Sequence, residues 1–242
     1  MKAIILAAGV SRRLYPLTLE TPKSLLKINN KPIIDYQLDA LRVVGVKDII
    51  LVLGYYNELF IDHFKKNHSD FNFSVITNHH FFETNTSYSV WLCKDLAQDD
   101  DILLLNADVL FPIELLKRLM NASQKNLLAV EIKNCGNEEV KVIEGENNRI
   151  VAIGKNLIQE NSLGEFIGVA KFSNEFMKEF FAALDKLISA GGKSDYFEAA
   201  IDPLLSENVL YYEDVTDLPS KEIDFLEDFE EAKSLVDSIF YK

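Results

Sequence analysis

Short apolar segments dominate the first half of the chain, and each is followed by an amphipathic stretch. Three of these segments, at 2–7, 48–53 and 101–105, consist almost wholly of isoleucine, leucine, valine and alanine. Strands with both faces buried in a parallel sheet have this composition. Because stretches with helical spacing separate the segments, the chain is predicted to form βαβ units around a mainly parallel sheet, which is an α/β fold.

The same patterns predict the remaining elements. Further strands are expected at 73–77, 127–132, 139–143, 149–153 and 165–172. Helices are expected at 32–44, 57–66, 86–97, 112–121, 173–190, 195–206 and 227–239. The strands within 127–172 follow one another without a helix, which predicts a smaller accessory sheet over the site. Since no linker or repeat interrupts the sequence, we expect one domain spanning 1–242.

Composition limits the classes of protein to which the chain can belong. The formal net charge of −13 argues against nucleic acid as a partner. No run approaches the roughly 18 apolar residues that a membrane-spanning helix needs. Cys93 and Cys135 are far apart in the sequence and form neither a disulfide framework nor a zinc motif. They are expected to be reduced, buried thiols in a cytoplasmic protein.

The loop after the first strand is strongly basic, although the protein is acidic. Residues 1–31 hold six basic side chains and one acidic side chain. Ligands of open α/β sheets bind beyond the carboxyl ends of the strands, so this loop is the first candidate for a site. Gly9 allows the backbone to approach a phosphate closely, and successive N–H groups can surround it. These features favour a small anionic ligand over a polymer.

Two common nucleotide-binding patterns are absent from the sequence. The first loop has no G-x-G-x-x-G pattern, which disfavours a dinucleotide-dependent oxidoreductase. It also has no P-loop, because Lys23 and Ser24 follow Pro22 and not a glycine.

An ordered set of short segments resembles the signature of the sugar-phosphate nucleotidyltransferase superfamily. In the first loop the matching segments are Leu6-Ala-Ala-Gly9, Arg13-Leu14, Pro16-Leu-Thr18, Pro22-Lys23 and Leu25-Leu26. Further along they are Leu105-Asn-Ala-Asp108, Ile153-Gly-Lys155, Gly164-Glu-Phe-Ile-Gly168 and Glu222-Ile-Asp224. The chain departs from the pattern at Ser11 and Arg12, where the superfamily has glycine followed by serine or threonine. The resemblance implies a Rossmann-like three-layer α/β/α fold with a mixed, mostly parallel central sheet and a small accessory β-sheet.

Three segments are similar to one branch of that superfamily, the cytidylyltransferases of phosphocholine and of related phospho- or phosphono-amino compounds. They are Asn85-Thr-Ser-Tyr-Ser-Val-Trp91, Gly164-Glu-Phe-Ile-Gly168 and Glu222-Ile-Asp-Phe225. This branch implies transfer of CMP from CTP to a small phosphorylated or phosphonylated amino-alcohol, with release of pyrophosphate. The acceptor would be phosphocholine-like or 2-aminoethylphosphonate-like.

The resemblance also implies roles for the matching residues. Arg13 would hold the β- and γ-phosphates, and Lys23 would lie near the α-phosphate, where charge shifts in the transition state. Asp108 and Asp224 would hold Mg²⁺, which favours one or two carboxylates together with substrate phosphates. The nucleoside would contact Leu6, Ala7, Ala8, Gly9 and Asn106. No general base is required, because a phosphomonoester is already ionised at neutral pH.

The residues assigned to the acceptor carry the charges and rings that a phosphorylated amine needs. Lys155 would bind its phosphate, and aromatic faces beside carboxylates would hold its cationic amine. Tyr88 and Trp91 are three residues apart and share a helix face, so they line either this site or the core. The expected acceptor residues are Asn85, Tyr88, Ser89, Trp91, Lys155, Glu165, Asp195 and Glu198. The base is expected to be selected around 78–86.

Two other functions fit the superfamily resemblance. A sugar-1-phosphate nucleotidyltransferase would use UTP, dTTP or GTP and would have polar groups in place of the aromatic residues near 88–91 and 195–198. A nucleotide-sensing protein would keep the fold without turnover, but the presence of all four basic and acidic site residues argues against it. The expected partners are CTP or another NTP and a small acceptor, and the sequence leaves a homodimer open. His63 needs no catalytic role and is expected to be structural.

Overall fold

The apolar segments form the strands of one large sheet. The structure, a computed structural model, describes residues 1–239. The strands are β1 (Lys2–Ala7), β2 (Lys27–Ile28), β3 (Lys31–Pro32), β4 (Asp48–Leu53), β5 (Asn72–Thr77), β6 (Ile102–Asn106), β7 (Val109–Leu110), β8 (Leu127–Ile132), β9 (Lys141–Glu144), β10 (Ile150–Gly154), β11 (Gly164–Phe172), β12 (Tyr211–Asp214) and β13 (Lys221–Glu222). The helices are α1 (Ile33–Val43), α2 (Asn57–Asn67), α3 (Thr86–Trp91), α4 (Lys94–Ala97), α5 (Ile113–Asn121), α6 (Asn174–Ser189), α7 (Glu198–Ile201) and α8 (Leu226–Ile239).

The central sheet is mixed. Its strand order is β10-β9-β11-β6-β1-β4-β5, and β8 and β12 extend it from β11. The strands β6, β1, β4 and β5 run parallel, whereas β11 is antiparallel to β6, β8 and β9. Two further sheets of two antiparallel strands pair β2 with β3 and β7 with β13. The predicted α/β fold with a mixed central sheet and small accessory sheets is confirmed.

Helices cover both faces of the parallel strands. Adjacent strand residues point to opposite faces, so Ile5 packs on one side and Ile4 on the other. The Ile5 side is filled by α1, α2 and α5, and the Ile4 side by α3, α6 and α7. Both isoleucines are fully buried, and burying such a side chain stabilises the fold by about 2 kcal/mol. Burial on both faces explains why these strands are continuously apolar and do not alternate.

Several predicted elements differ in detail from the structure. The strands of 127–172 join the central sheet through β11 and do not form a separate sheet over the site. The helix expected at 86–97 is divided into α3 and α4, and hydrogen bonds of the i→i+3 type link the two. The helix expected at 195–206 is the short α7 followed by a 3₁₀ turn, which contains Pro203 near its start. Pro203 has no N–H group, so it cannot continue the α-helical hydrogen bonds.

No helix within residues 1–239 is both long and apolar enough to span a membrane.

Candidate active site

The N-terminal loop lies at the carboxyl ends of β1 and β6. These strands are parallel neighbours with Leu6 opposite Asn106, so the residues that follow each strand emerge side by side. They line a cleft of about 410 Å³, which also receives residues from β11, α3, α7 and β13. The position agrees with the rule that open α/β sheets bind ligands beyond their strand ends.

Lys23 lies at the centre of the charged end of this cleft. Its Nζ atom is 2.7 Å from Oδ2 of Asp108 and 2.7 Å from Oδ1 of Asp224. The residue is only 9% exposed. Burial alone would lower the pKa of Lys23, but the two carboxylates more than offset this and raise its pKa above the usual value. The ammonium is therefore charged at neutral pH.

Pairing of β13 with β7 brings Asp224 to Asp108. Glu222 pairs with Val109 in this small sheet, and the N–H of Ile223 donates to the carbonyl oxygen of Asp108 at 3.0 Å. The extended backbone then directs Asp224 toward Lys23. The sequence pattern alone did not predict this two-strand sheet, because each strand has only two residues.

Asp228 fixes the turn that follows Asp224. Its Oδ2 accepts hydrogen bonds from the N–H groups of Asp224 and Phe225 at 3.1 and 2.8 Å. Burial opposes ionisation, but these bonds and the ammonium of Lys221 lower the pKa of Asp228. Asp228 therefore has a structural role at the site, in addition to its place at the start of α8.

Arg13 also faces the cleft. Its guanidinium lies 3.0 Å from Asp224 Oδ2 and 5.2 Å from the ring centre of Phe225. The side chain is half exposed, so it remains accessible to a ligand. Arg13 and Lys23 thus place two positive charges on one wall of the cleft.

A third carboxylate, Glu222, joins the two predicted aspartates. The ligand oxygens of Asp108, Glu222 and Asp224 all lie within 4.8 Å of one another. Part of the Glu222 side chain is exposed to solvent. Desolvation of its carboxyl group within the cleft, together with the charges of Asp108 and Asp224, raises the pKa of Glu222 to about 8. Sequence reasoning did not assign Glu222 to the site, although residues two apart on an extended strand share a face.

The carboxylates fit a hard divalent cation. All the donor atoms are oxygens, which Mg²⁺ prefers. In addition, Oδ1 of Asp108 is buried and has no hydrogen-bond partner among the described residues. An oxygen in that state is available to a cation or to a donor on a ligand.

The backbone at the ends of β1 and β6 forms the other wall of the cleft. Leu6, Ala8 and Gly9 line it, and Ala7 borders a smaller adjoining pocket. Asn106 also lines the cleft, and its Oδ1 is buried without a partner in the described part of the chain. A side chain at Gly168 would come within 2.5 Å of Asn106 Nδ2, so glycine is needed there.

A hydrogen-bonded group organises the segment that was expected to select the base. The Nδ2 group of Asn78 donates to Thr84 Oγ1 at 2.9 Å and to Ser89 Oγ at 3.2 Å. Asn85 begins α3 by accepting a hydrogen bond from the N–H of Thr86. Asn78, Thr84, Asn85 and Ser89 all line the cleft, as does Phe81.

A buried carboxyl group, that of Glu198, also lines the cleft. Glu198 is 4% exposed, yet its Oε2 has no hydrogen-bond partner among the described residues. Burial raises the pKa of Glu198 to about 7, despite the nearby charge of Lys155. The Nζ of Lys155 lies 4.3 Å from the ring centre of Tyr196 and 3.2 Å from its hydroxyl.

Glu165 also lines the cleft and contacts Lys133 at 2.5 Å. Burial raises the pKa of Glu165, although the Lys133 ammonium acts in the opposite direction.

Comparison with known proteins assigns the family. The family model described as nucleotidyl transferase matches residues 2–141, which is more than half of the chain. The chain belongs to the nucleotidyl transferase family. The prediction of a nucleotidyltransferase from the first-loop motif is confirmed.

Individual relatives of this nucleotidyl transferase match most of its length. It is 29% identical over 212 residues to CTP:phosphoglutamine cytidylyltransferase of Campylobacter jejuni, covering 80% of this chain and 83% of the relative. It is 26% identical over 238 residues to choline-phosphate cytidylyltransferase of Streptococcus pneumoniae, covering 98% of both. A solved structure of CTP:phosphocholine cytidylyltransferase from Streptococcus pneumoniae has a TM-score of 0.81 at 25% identity, covering 97% of this chain and 98% of the other.

Three predicted acceptor residues of this nucleotidyl transferase lie outside the cleft. Tyr88 stacks on Trp91 with ring centres 5.5 Å apart, and Trp91 Nε1 donates to Asp185 on α6 at 2.8 Å. Trp91 thus contacts α6, whereas Tyr88 also lies near His80 and Lys193, and neither ring lines the cleft. Asp195 instead contributes its backbone carbonyl, which accepts a hydrogen bond from the N–H of Ser87.

A second cluster, Asp35 with His63 and His68, has a structural hydrogen-bonding pattern. Both Nε2 atoms lie within 2.9 Å of Asp35 Oδ1. The guanidinium of Arg42 donates to Nδ1 of His68, so the remaining proton of a neutral ring is on Nε2 and points at Asp35. Burial alone would raise the pKa of Asp35, but the hydrogen bonds from both histidines lower it to about 2. The contacts fit the structural role expected for His63.

Proposed function

We propose that this nucleotidyl transferase transfers CMP from CTP to a small phosphorylated or phosphonylated amino-alcohol, such as a phosphocholine-like or 2-aminoethylphosphonate-like compound, and releases pyrophosphate. The observation that carries the proposal is the cleft itself, which holds two cations beside three carboxyl groups and, in addition, the buried Glu198, whose Oε2 has no partner among the described residues. The similarity to two cytidylyltransferases of phosphorylated compounds, over 80% and 98% of this chain, supports CTP as the donor.

The basic residues would offset the charge of two polyanions. Transfer requires an acceptor oxygen to attack the α-phosphate of CTP, so both phosphates must approach each other. Lys23 would stabilise charge at the α-phosphate, and the more exposed Arg13 would hold the outgoing pyrophosphate. Positioning and electrostatic stabilisation of this kind account for most phosphoryl-transfer catalysis.

Mg²⁺ would be held by Asp108 and Asp224, with Glu222 beside them. The ion would neutralise phosphate charge when the nucleotide is bound. Lys23 contacts the same two aspartates, so it would move from them to the phosphates when the cation arrives.

The group of Lys155, Tyr196 and Glu198 suits an acceptor with a phosphate and an amine. Lys155 would bind the acceptor's phosphate, and the unpaired oxygen of Glu198 would accept a hydrogen bond from the ammonium group. The ring of Tyr196 lies beside both residues in the cleft wall, and aromatic faces attract cations. The phosphate oxygen is already ionised at neutral pH, so no side chain needs to remove a proton from it.

A matrix of substrates tests this proposal. Pyrophosphate release would be measured with CTP, UTP, GTP, ATP and dTTP, each paired with phosphocholine, phosphoethanolamine, 2-aminoethylphosphonate, glucose 1-phosphate or inositol 1-phosphate. We expect turnover with CTP and at least one amine-bearing acceptor. Turnover confined to sugar or inositol phosphates would contradict the assigned acceptor, and preference for another NTP would contradict the assigned donor.

A further inference from the structure

Lys141 is a lysine buried inside the sheet. It lies on β9 between Gly154 of β10 and Glu165 of β11, and it is 1% exposed. Its ammonium donates to the carbonyl oxygen of Lys155 at 2.6 Å and to that of Glu139 at 3.3 Å. Among the described residues these two carbonyl oxygens are its polar partners, so no carboxylate neutralises it.

Stability does not explain a lysine at this position. Removing an ammonium from water is unfavourable, and two carbonyl hydrogen bonds recover only part of that free energy. An apolar side chain of similar length would fill the same space without the penalty. Lys141 therefore has a role that its contribution to packing does not account for.

Lys171 is a useful contrast, because it is also buried and also bonded to carbonyl oxygens. Its ammonium donates to Leu119 and Ala122 at 2.6 and 3.2 Å, at the carboxyl end of α5. A cation at a helix carboxyl end satisfies free carbonyl groups and interacts favourably with the helix dipole. The role of Lys171 is thus local and structural, and it lies outside the cleft.

The carbonyl that Lys141 holds belongs to a residue of the cleft. Lys155 follows the last residue of β10, and β10 is the edge strand of the sheet. Beyond Gly154 the register of β10 with β9 ends, so the sheet does not fix the peptide of Lys155. The ammonium of Lys141 instead holds this peptide through its hydrogen bond to the Lys155 carbonyl oxygen. The side chain of Lys155 meanwhile lies over the ring of Tyr196.

We propose that Lys141 is a positioning residue for Lys155, which rests on the proposed function in which Lys155 binds the phosphate of the acceptor. By holding the Lys155 carbonyl, the buried ammonium fixes where the Lys155 side chain enters the cleft. A displacement of about 1 Å at a binding group can reduce a rate about 100-fold. The hydrogen bonds of Lys141 go to Glu139 and Lys155 and not to Lys23 or Arg13, so its effect is expected on the acceptor.

Steady-state kinetics of Lys141→Met test the proposal. Methionine keeps the length of the side chain and removes its charge and its donors. The KM for the acceptor is expected to rise at least tenfold, while the KM for CTP stays within twofold of the wild-type value. Lys171→Met is the matched control, and it should lower the melting temperature and leave both KM values unchanged. The double variant of Lys141→Met with Lys155→Met should be no more impaired than Lys155→Met alone.

The outcomes separate this inference from the proposed function. A wild-type enzyme without activity on any acceptor would contradict the proposed function. An active wild type with an unchanged acceptor KM in Lys141→Met, or additive losses in the double variant, would contradict the positioning role. A Lys141→Met protein that fails to fold would assign the lysine to stability and would contradict it as well. A crystal structure of Lys141→Met gives a readout independent of turnover: an unmoved Lys155 peptide overturns the inference, and a displaced one supports it.

Discussion

The Nζ atom of Lys23 lies 2.7 Å from Oδ2 of Asp108, so the N-terminal loop is tied directly to the end of β6. The same nitrogen contacts Asp224, which reaches the cleft through the short β7–β13 sheet. A cation of the protein itself thus lies between carboxylates that would hold a divalent ion. Several consequences of this arrangement, and of the burial of Glu198, can be measured.

Replacing Lys23 with methionine should increase the affinity of the free protein for Mg²⁺. Without the ammonium that bridges Asp108 and Asp224, a divalent ion no longer competes with Lys23 for their oxygens, so it should bind at least fivefold more tightly. Turnover should nevertheless fall at least 100-fold, because the α-phosphate loses its cationic partner. Calorimetric Mg²⁺ titration and the pyrophosphate assay check the two effects. Unchanged Mg²⁺ affinity would contradict the assignment of the carboxylates as the metal site.

Asp108→Asn should reduce turnover at least 100-fold with little change in the fold. The substitution removes the charge of the aspartate while its size is retained. Circular dichroism would verify the fold, and pyrophosphate release would measure turnover. Asp99→Asn is the matched control, since Asp99 is an exposed aspartate paired only loosely with Lys178 at 3.4 Å. Near-normal turnover of Asp108→Asn would remove this residue from the catalytic site.

Glu198 should make acceptor binding dependent on pH. Its pKa is raised by burial from the ordinary value of 4.5 to about 7. An ionised carboxylate is needed to attract an ammonium group, so the acceptor KM should fall as the pH rises through 7. Glu198→Gln should raise the acceptor KM and remove this dependence on pH, with the KM for CTP unaffected. The same pH profile in both proteins would exclude Glu198 as the amine ligand.

The raised pKa of Glu198 also predicts how stability varies with pH. Between pH 4.5 and 7 the folded state retains a proton that the unfolded state has lost, so the free energy of unfolding falls as the pH rises across this range. Glu198→Gln has no such titration. Its melting temperature should therefore gain relative to the wild type between pH 5 and 7, as measured by differential scanning calorimetry. A constant difference across that range would show that Glu198 titrates normally.

The aromatic pair of α3 should affect stability and not catalysis. Trp91→Phe removes the hydrogen bond from the indole to Asp185, which is worth about 1 kcal/mol. Both KM values should stay within twofold of the wild type because the ring lies outside the cleft. A tenfold rise in the acceptor KM would instead return Trp91 to the acceptor site. Thermal unfolding and steady-state kinetics distinguish a role of Trp91 in stability from a role in binding the acceptor.

The strands whose positions follow from the hydrophobic pattern could be predicted from the sequence. The strands β1, β4 and β6 are buried on both faces, and their continuous apolar composition follows from that burial. By contrast, β7 and β13 have two residues each, which is too short for any periodicity. Their pairing, which brings Asp224 to Asp108, is a tertiary event between distant segments. The resemblance to a known motif indicated the two aspartates, but the pairing that joins them is visible only in three dimensions.

In the candidate site, too, the sequence did not reveal contacts between distant segments. The basic charge of the first loop predicted an anionic ligand, and the resemblance to the superfamily singled out Arg13 and Lys23. The roles of Glu222 and Lys141 were not predicted, because they depend on which groups surround the two side chains in the folded protein. Tyr88 and Trp91 were placed on one helix face correctly, but helical spacing does not reveal whether that face meets a ligand or another helix. Here it meets α6.

A structure with CTP and Mg²⁺ bound gives the most direct test of the account. We expect the triphosphate along Arg13 and the N-terminal loop, the metal ion on Asp108 and Asp224, and the Nζ of Lys23 moved from these carboxylates to the phosphates. A nucleotide bound elsewhere, or Lys23 still bridging Asp108 and Asp224 beside a bound triphosphate, would contradict it.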